Sequence, residues 1–385
     1  MADFAIQRGT ATITVSGSSV TITAGVDYTA PASASAGFLR IVGVLGSSAG
    51  MEGGDSMAAD RNCTVISNPS NITTSITFTR NDPTTGPLDI SWEIIEYTGA
   101  ISGANEFIVR HEELLTTAST TSTSVDSSSI SGVSTAADVV IFNTGVEVVA
   151  GNISTTNEAA FTAEYISGST LARLTRGSTV DRVASISIAA VEFTGSNWAI
   201  QRIEHTYTSG ATNETESITT LGSVSKAFLH HQTRVDGGIG PDSVGQLCFI
   251  SSTSQLTFNK ETVVATSFGV AWVIENTQAS GTVMNVAQYS GTRATNVGGN
   301  PDSFTQAVTA VSSLAESSIM GEGANTTETT ALGRVMLAFQ LTDTTTVTMT
   351  RGRDIGNRDW RFQAVEWPTV AAAAAGNPWY YYAQQ

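Results

Sequence analysis

Charged residues recur at a fixed spacing in this sequence. Four times, a basic residue ends an apolar-x-apolar-x-basic pattern and a glutamate follows 15 or 16 residues later: Arg80 and Glu96, Arg176 and Glu192, Lys260 and Glu275, Arg351 and Glu366. A carboxylate beside a cation could bind an ion or transfer a proton. In a tight hairpin, however, the cation lies near the loop and the glutamate several residues past it, too far for an ion pair. We therefore interpret both as structural residues that cap the core at strand ends and reach water.

The four histidines do not form a metal-binding pattern. His230 and His231 are adjacent, so strand geometry directs their rings to opposite faces. His111 and His205 follow related strands and are interpreted as surface residues. The segments 236–245 and 297–303 are rich in Gly and Asp but lack the carboxylate spacing of a calcium loop, so turns are favoured. No nucleophile elbow, phosphate-binding loop or supported carboxylate pair is present, and the sequence predicts neither an enzyme nor a cofactor or metal.

The composition argues against several classes of partner and location. A net charge of −16, with only 18 Lys and Arg, argues against nucleic acid, because phosphate binding needs clustered cations. No stretch is apolar enough to enter a membrane. The first residues lack the basic and apolar regions of a signal peptide, so we expect synthesis in a host cytoplasm without a cleaved signal. Cys63 and Cys248 have neither disulfide-framework nor metal-ligand spacing, and we expect reduced thiols.

The elements that must position these residues are β-strands. From Thr10 to Val15 threonines alternate with apolar residues, and the alternation resumes at Val20 after a turn. This period of two is typical of a half-buried strand. No helical periodicity extends beyond about two turns. The sequence therefore predicts an all-β protein.

Two strand motifs divide the chain into repeats. The opening strand reads FAIQR from Phe4, FIVRH from Phe107, WAIQR from Trp198 and, more weakly, VMNVAQ from Val283. The late strands carry the four repeated glutamates. Both motifs predict four tandem β-sandwich modules, immunoglobulin-like or jelly-roll-like, covering residues 1–103, 104–196, 197–280 and 281–367, before a tail at 368–385. Each module is large enough to bury its own core, so we expect four beads in a row.

The tail ends in four consecutive aromatic residues, Trp379, Tyr380, Tyr381 and Tyr382. Aromatic side chains with polar tips are favoured at interfaces. Two interpretations remain open: a strap packed on the last module, or a hook that binds a neighbouring subunit or an underlying scaffold.

The segments VEFTGSNWAIQRIEHT, from Val191, and FAIQRGTATI, from Phe4, resemble the repeat proteins of tailed-bacteriophage virions, especially those of marine phages. The resemblance implies a non-enzymatic component of the virion surface, such as a fibre, spike or decoration protein of the capsid or tail. Its partners would be other virion proteins and copies of itself, with a host surface glycan as a further contact. The alternatives are a carbohydrate-binding adhesin that uses Trp92, Trp198 or Trp272, and a subunit of a bacterial surface filament. A depolymerase has the least support.

Overall fold

The computed structural model of the chain is all-β, as predicted. Its description covers residues 3–46, 66–68, 72–80, 87–119, 121–149, 160–177, 183–207, 213–236, 246–260, 266–279, 283–293, 302–326, 337–351 and 358–368. These residues form 24 strands and several short 3₁₀ turns, and no α-helix occurs among them.

The strands fall into four groups of six, which we call modules 1 to 4. Module 1 contains β1 Phe4–Ile13, β2 Ser19–Thr23, β3 Gly37–Gly46, β4 Ile66–Asn68, β5 Ser75–Thr79 and β6 Leu88–Tyr97. Module 2 contains β7 Ile108–Thr116, β8 Ser124–Asp126, β9 Val139–Val149, β10 Phe161–Ile166, β11 Leu171–Arg176 and β12 Val183–Glu192. Module 3 contains β13 Trp198–Tyr207, β14 Asn213–Ser217, β15 Ala227–Asp236, β16 Gln246–Ser252, β17 Gln255–Lys260 and β18 Thr266–Asn276. Module 4 contains β19 Asn285–Arg293, β20 Asp302–Ala307, β21 Ser317–Thr326, β22 Leu337–Asp343, β23 Thr346–Arg351 and β24 Arg358–Glu366.

All four modules have the same topology. The first, sixth and third strands form one antiparallel sheet, the inner sheet, with the sixth strand in the middle. The second, fifth and fourth strands form the outer sheet, with the fifth in the middle. The first strand thus pairs with the last and the second with the fifth, as when a long hairpin is rolled up. This is jelly-roll pairing, whereas in an immunoglobulin sandwich the first two strands are neighbours in one sheet.

One face of each inner sheet packs on its outer sheet and forms the core of that module. In module 1 this core contains Ile13, Ile76, Phe78 and Ile90, all completely buried. A cross-strand pair of Gly9 and Trp92 lies in the same core. A Cβ atom on Gly9 would lie 2.5 Å from the Trp92 ring, so the glycine makes room for the indole.

The other face of each inner sheet packs against the neighbouring modules, and the four modules form a closed ring. The expectation of beads in a row is therefore wrong. One hydrogen bond at each of the four seams illustrates the closure: Val109 N to Ser35 O, Gln232 Nε2 to Ile141 O, Leu229 N to Gln363 Oε1, and Arg8 Nη1 to Leu314 O. The last of these joins module 4 back to module 1.

Aromatic side chains fill the centre of the ring. The Phe4 ring lies 5.9 Å from Phe107 of module 2, 6.3 Å from Trp198 of module 3 and 4.7 Å from Trp367, which follows module 4. The aromatic residue that opens the repeat therefore packs at the ring centre. In the fourth copy this position belongs to Met284, one residue after the expected Val283, because Asn285 pairs with Glu366 as Ala5 pairs with Glu96. A module's own sandwich is thus only part of the buried core.

A network of polar side chains lies beside this aromatic centre. Asn105 is completely buried and its Nδ2 donates to Asp3 Oδ2 at 2.9 Å and Gln278 Oε1 at 3.1 Å. Its Oδ1 accepts from the amides of Asn197 and Asn276. Asn197 and Gln278 lie in segments that join successive modules, so this network ties those connections together.

Candidate functional site

The four repeated glutamates hold loops. Each carboxylate accepts a backbone N–H from the loop that precedes the third strand of its module: Glu96 from Ala32, Glu192 from Ser134 and Thr135, Glu275 from Gly222, and Glu366 from Ser312. Burial raises the pKa of Glu192, but hydrogen bonds from Ser134, Thr135 and Arg110 outweigh burial and hold that pKa below its ordinary value. The glutamates cap loops at the strand ends, as interpreted, but Glu96, Glu192 and Glu275 are at most 7% exposed, so the expectation that they reach water is wrong.

The repeated basic residues do not reach water, and that expectation is wrong. Arg80, Arg176 and Lys260 are at most 2% exposed. Arg80 donates to Thr14 O and Gly17 O, and Arg176 donates to Ser122 O. These carbonyls belong to the connection between the first two strands of each module, outside the sheet ladders, and the buried guanidinium donates hydrogen bonds to them. The side chain of Arg351 lies outside the described residues.

The burial of His205 differs from the sequence-based expectation. His205 was expected at the surface but is buried against Phe258, with ring centroids 4.5 Å apart. Its ring nitrogens lie 2.8 Å from Glu214 Oε2 and 2.9 Å from Glu216 Oε1. No group of three described His, Cys, Asp or Glu side chains could hold a metal ion. The buried histidine with its two carboxylates therefore joins β13 to β14.

His230 and His231 face opposite sides of their sheet, as predicted. His230 stacks on Trp272 on the seam side, and His231 lies against Phe258 in the core of module 3. Burial, together with the nearby charge of Arg40, lowers the pKa of His230 to about 3. His230 is therefore a neutral seam residue at physiological pH.

Each inner sheet presents to its seam a row of three side chains in register across the first, sixth and third strands. The rows are Arg8–Glu93–Arg40 in module 1, Glu112–Ala189–Phe142 in module 2, Arg202–Trp272–His230 in module 3 and Gln288–Gln363–Met320 in module 4. The middle residue always lies three positions before the repeated glutamate. Equivalent places in one fold thus carry four different chemistries, so no two seams are interchangeable.

The row of module 1 is an ionic cluster that closes the ring. Glu93, 2% exposed, lies 3.4 Å from Arg8 Nε and 3.7 Å from Arg40 Nη1, and it accepts the Ile319 N–H of module 4. The two arginines also donate to carbonyls of module 4: Arg8 to Leu314 and Ser317, Arg40 to Ile319. Burial raises the pKa of Glu93, although both arginines oppose this effect, and burial lowers the pKa of Arg40.

The seam-facing sheet of module 2 carries two acids, the half-buried Glu112 and the buried Glu147. Burial raises the pKa of Glu112 to about 8 and the pKa of Glu147 to about 7. The Oε1 atom of Glu112 is buried and has no hydrogen-bond partner among the described residues. The Glu112 carboxyl is therefore mostly neutral at physiological pH, whereas the Glu147 carboxyl is divided between its neutral and charged forms.

The candidate sugar-binding tryptophans, the aromatic tail and the two cysteines were also singled out in the sequence. Trp92, Trp198 and Trp272 are buried, at most 9% exposed, so none offers a ring to a surface sugar and the adhesin hypothesis loses its residues. The aromatic tail from Trp379 to Tyr382 and Cys63 lie outside the described residues. Cys248 is buried in module 3.

Comparison with protein-family models, curated proteins and solved structures finds no match for this chain. None of the described segments is a helix with the length and apolar character needed to cross a bilayer.

Sequence reasoning missed the seam rows. The residues of the ionic cluster are more than 200 positions from their partners in module 4, and no local pattern pairs such distant positions. A signal was nevertheless present: the position three before each repeated glutamate reads Glu, Ala, Trp and Gln in the four copies, although the strands around it keep their pattern. Variation at one fixed position of a repeat indicates that each copy meets a different neighbour.

Proposed function

We propose that the protein is a non-enzymatic structural component of a virion surface, which covers or cements the particle as a broad ring. The sequence resemblance to phage virion repeats is the basis for the location. The ring architecture favours the covering or cementing role over the projecting fibre, because repeats arranged around one centre add width and rigidity but no length.

The shared aromatic centre is the observation that carries this proposal. Phe4 contacts aromatic rings from every other part of the ring, so no module can separate without exposing apolar surface. Burial of apolar surface contributes roughly 25 cal/mol per Å², which holds the four modules of such a ring together. Rigid plates suit a protein that must resist pressure or shear at a particle surface.

Particle composition tests the proposal. Virions of a phage whose genome encodes this chain are purified by density gradient, analysed by mass spectrometry and labelled with antibody for electron microscopy. We expect the chain in the particle fraction and labels on the outside of the head or tail. Its presence in infected-cell lysate together with absence from purified particles would reject the virion assignment, and labels far from the particle body would restore the projecting fibre.

A further inference from the structure

The seam between modules 3 and 4 contains a half-open cleft of about 240 Å³. Phe249 and Ile250 of β16 form one wall. The opposite wall belongs to the inner sheet of module 4, with Gln288 and Ser290 on β19, Met320 on β21 and Gln363 on β24.

The cleft follows from the row that module 4 presents. At the equivalent place in module 1, Arg8 and Arg40 extend across the seam to carbonyls of module 4. In module 3, His230 stacks on Trp272 with centroids 5.5 Å apart and the Arg202 guanidinium lies 5.7 Å from the same indole. Module 4 has two slender amides and a methionine there. These side chains are too narrow to fill the space that arginines or rings fill elsewhere.

The hydrogen-bonding groups of the cleft are the neutral amides of Gln288 and Gln363, the Ser290 hydroxyl and the Arg361 guanidinium. Gln288 Nε2 donates to Ile250 O at 3.2 Å, and Gln363 Nε2 lies 3.4 Å from Gln288 Oε1. A carboxamide offers two donor hydrogens and two acceptor lone pairs. Gln363 Oε1 also accepts the Leu229 N–H at 2.7 Å, which leaves each amide one donor hydrogen and one lone pair for a ligand. Ser290 adds an exposed hydroxyl at the mouth.

The remaining walls are apolar or flat. Met320 and Ile250 are buried apolar residues, and the Arg361 guanidinium lies 3.6 Å from the centre of the Phe249 ring. A sugar ring has hydroxyl groups that both donate and accept hydrogen bonds, and a C–H face that packs on apolar atoms. Amides beside an apolar wall complement both properties.

We propose that this cleft binds one neutral sugar residue, with its hydroxyls on Gln288, Gln363 and Ser290 and its C–H face against Met320 and Ile250. The volume corresponds to about eight waters and lies below the roughly 300 Å³ at which sites for drug-sized ligands begin, which limits the ligand to a single residue. Binding sites also occur preferentially at interfaces between domains. The identification of that sugar as part of a host surface glycan rests on the proposed function, whereas binding itself does not.

Saturation-transfer NMR on the purified full chain tests the inference. The probes are the methyl glycosides of glucose, galactose, mannose and N-acetylglucosamine, each at about 10 mM, because one small sugar is expected to bind with a Kd of about 1 mM. Two variants accompany the native chain. Ser290→Tyr fills the mouth from an exposed strand position that accepts an aromatic residue. Thr10→Tyr makes a similar change at the equivalent exposed position of module 1 and serves as the matched control.

We expect saturation transfer to the ring protons of at least one probe, a loss of affinity of at least about tenfold in Ser290→Tyr, and unchanged affinity in Thr10→Tyr. A third variant, Gln288→Ala, is expected to weaken binding several-fold without filling the cleft. Circular dichroism and the melting temperature establish that each variant is folded.

Absence of transfer to all four probes, or equal binding by Ser290→Tyr and the native chain, would overturn the inference. These outcomes are separate from the particle experiment. A chain found on virions without sugar binding would retain the proposed function and lose only the cleft, whereas sugar binding by a chain absent from virions would retain the cleft and reject the virion role.

Discussion

Removal of the Glu93 charge should weaken the seam that closes the ring. Glu93→Gln retains the shape of the side chain and an oxygen that can accept the Ile319 N–H. It leaves Arg8 and Arg40, whose side chains are only 16% and 11% exposed, in the seam without the carboxylate that faces both. Module 4 supplies a natural precedent, because Gln363 occupies the equivalent position and accepts the Leu229 N–H in the same manner.

The expected magnitude follows from the burial of the cluster. Removal of one partner of a buried ion pair typically costs about 3–5 kcal/mol, because the remaining charge stays desolvated. Arg8 and Arg40 retain bonds to carbonyls of module 4, so we expect the lower end, about 3 kcal/mol, for Glu93→Gln. Gln363→Ala is the matched comparison. It removes a neutral acceptor from one backbone N–H and should cost only about 1–2 kcal/mol.

Urea denaturation followed by tryptophan fluorescence measures these differences, since urea does not screen charge. A triple variant, Arg8→Gln, Glu93→Gln and Arg40→Met, places the row of module 4 in module 1. It removes the uncompensated charges and should regain at least half of the loss seen in Glu93→Gln. A single Glu93→Gln variant as stable as the native chain would refute the reasoning, as would a triple variant less stable than the single one.

Two further predictions concern the acids of module 2 and the glycines of the cores. The folded chain retains the Glu112 proton up to about pH 8, whereas the unfolded chain releases it near pH 4.5. The stability that this group contributes is therefore complete below about pH 4 and is lost as the pH rises to 8. Glu112→Gln should accordingly match the native chain at pH 4 and exceed its unfolding free energy by about 4 kcal/mol at pH 8, since each pKa unit corresponds to about 1.36 kcal/mol. Equal unfolding free energies of the two chains at both pH values would contradict the burial argument. A Cβ on Gly291 would lie 2.5 Å from the Trp360 ring, so Gly291→Ala should lower the unfolding free energy by about 1–3 kcal/mol. Gly168→Ala, where a Cβ meets nothing within 4 Å, should change it by less than about 0.5 kcal/mol, and equal effects of the two glycine changes would exclude overpacking as the cause.

The repeat could be predicted because its sequence patterns depend only on residues close together in the chain. Strand alternation around Ala11 and Ile13, and the repeated opening and late strands, depend on neighbours within a few residues. The same local logic identified the repeated glutamates as capping residues. It also led to the wrong expectation that the basic residues reach water. The turn carbonyls that accept hydrogen bonds from Arg80 and Arg176 belong to residues 54 to 66 positions earlier in the chain.

The ring could not be predicted, because its evidence lies in contacts between modules. On one face of β1 the apolar Ile6 is followed by the charged Arg8. When each module is considered alone, this pattern predicts a partly solvated face. In the structure Ile6 belongs to the central cluster, and Arg8 binds carbonyls 306 and 309 residues away. A charged residue in such a position marks a specific partner surface and not solvent.

Four modules in one chain resemble a cyclic tetramer whose subunits have been fused. In a true homotetramer every substitution occurs four times, so an interface that gains a binding site must gain it at all four places, whatever the loss in cohesion. The fused ring escapes this constraint. Its seams can specialise independently, with an ionic clamp at one, acids of raised pKa facing a second, stacked rings at a third and an open cleft at the fourth. Gene duplication without separation of the copies thus allows a symmetric scaffold to carry asymmetric tasks.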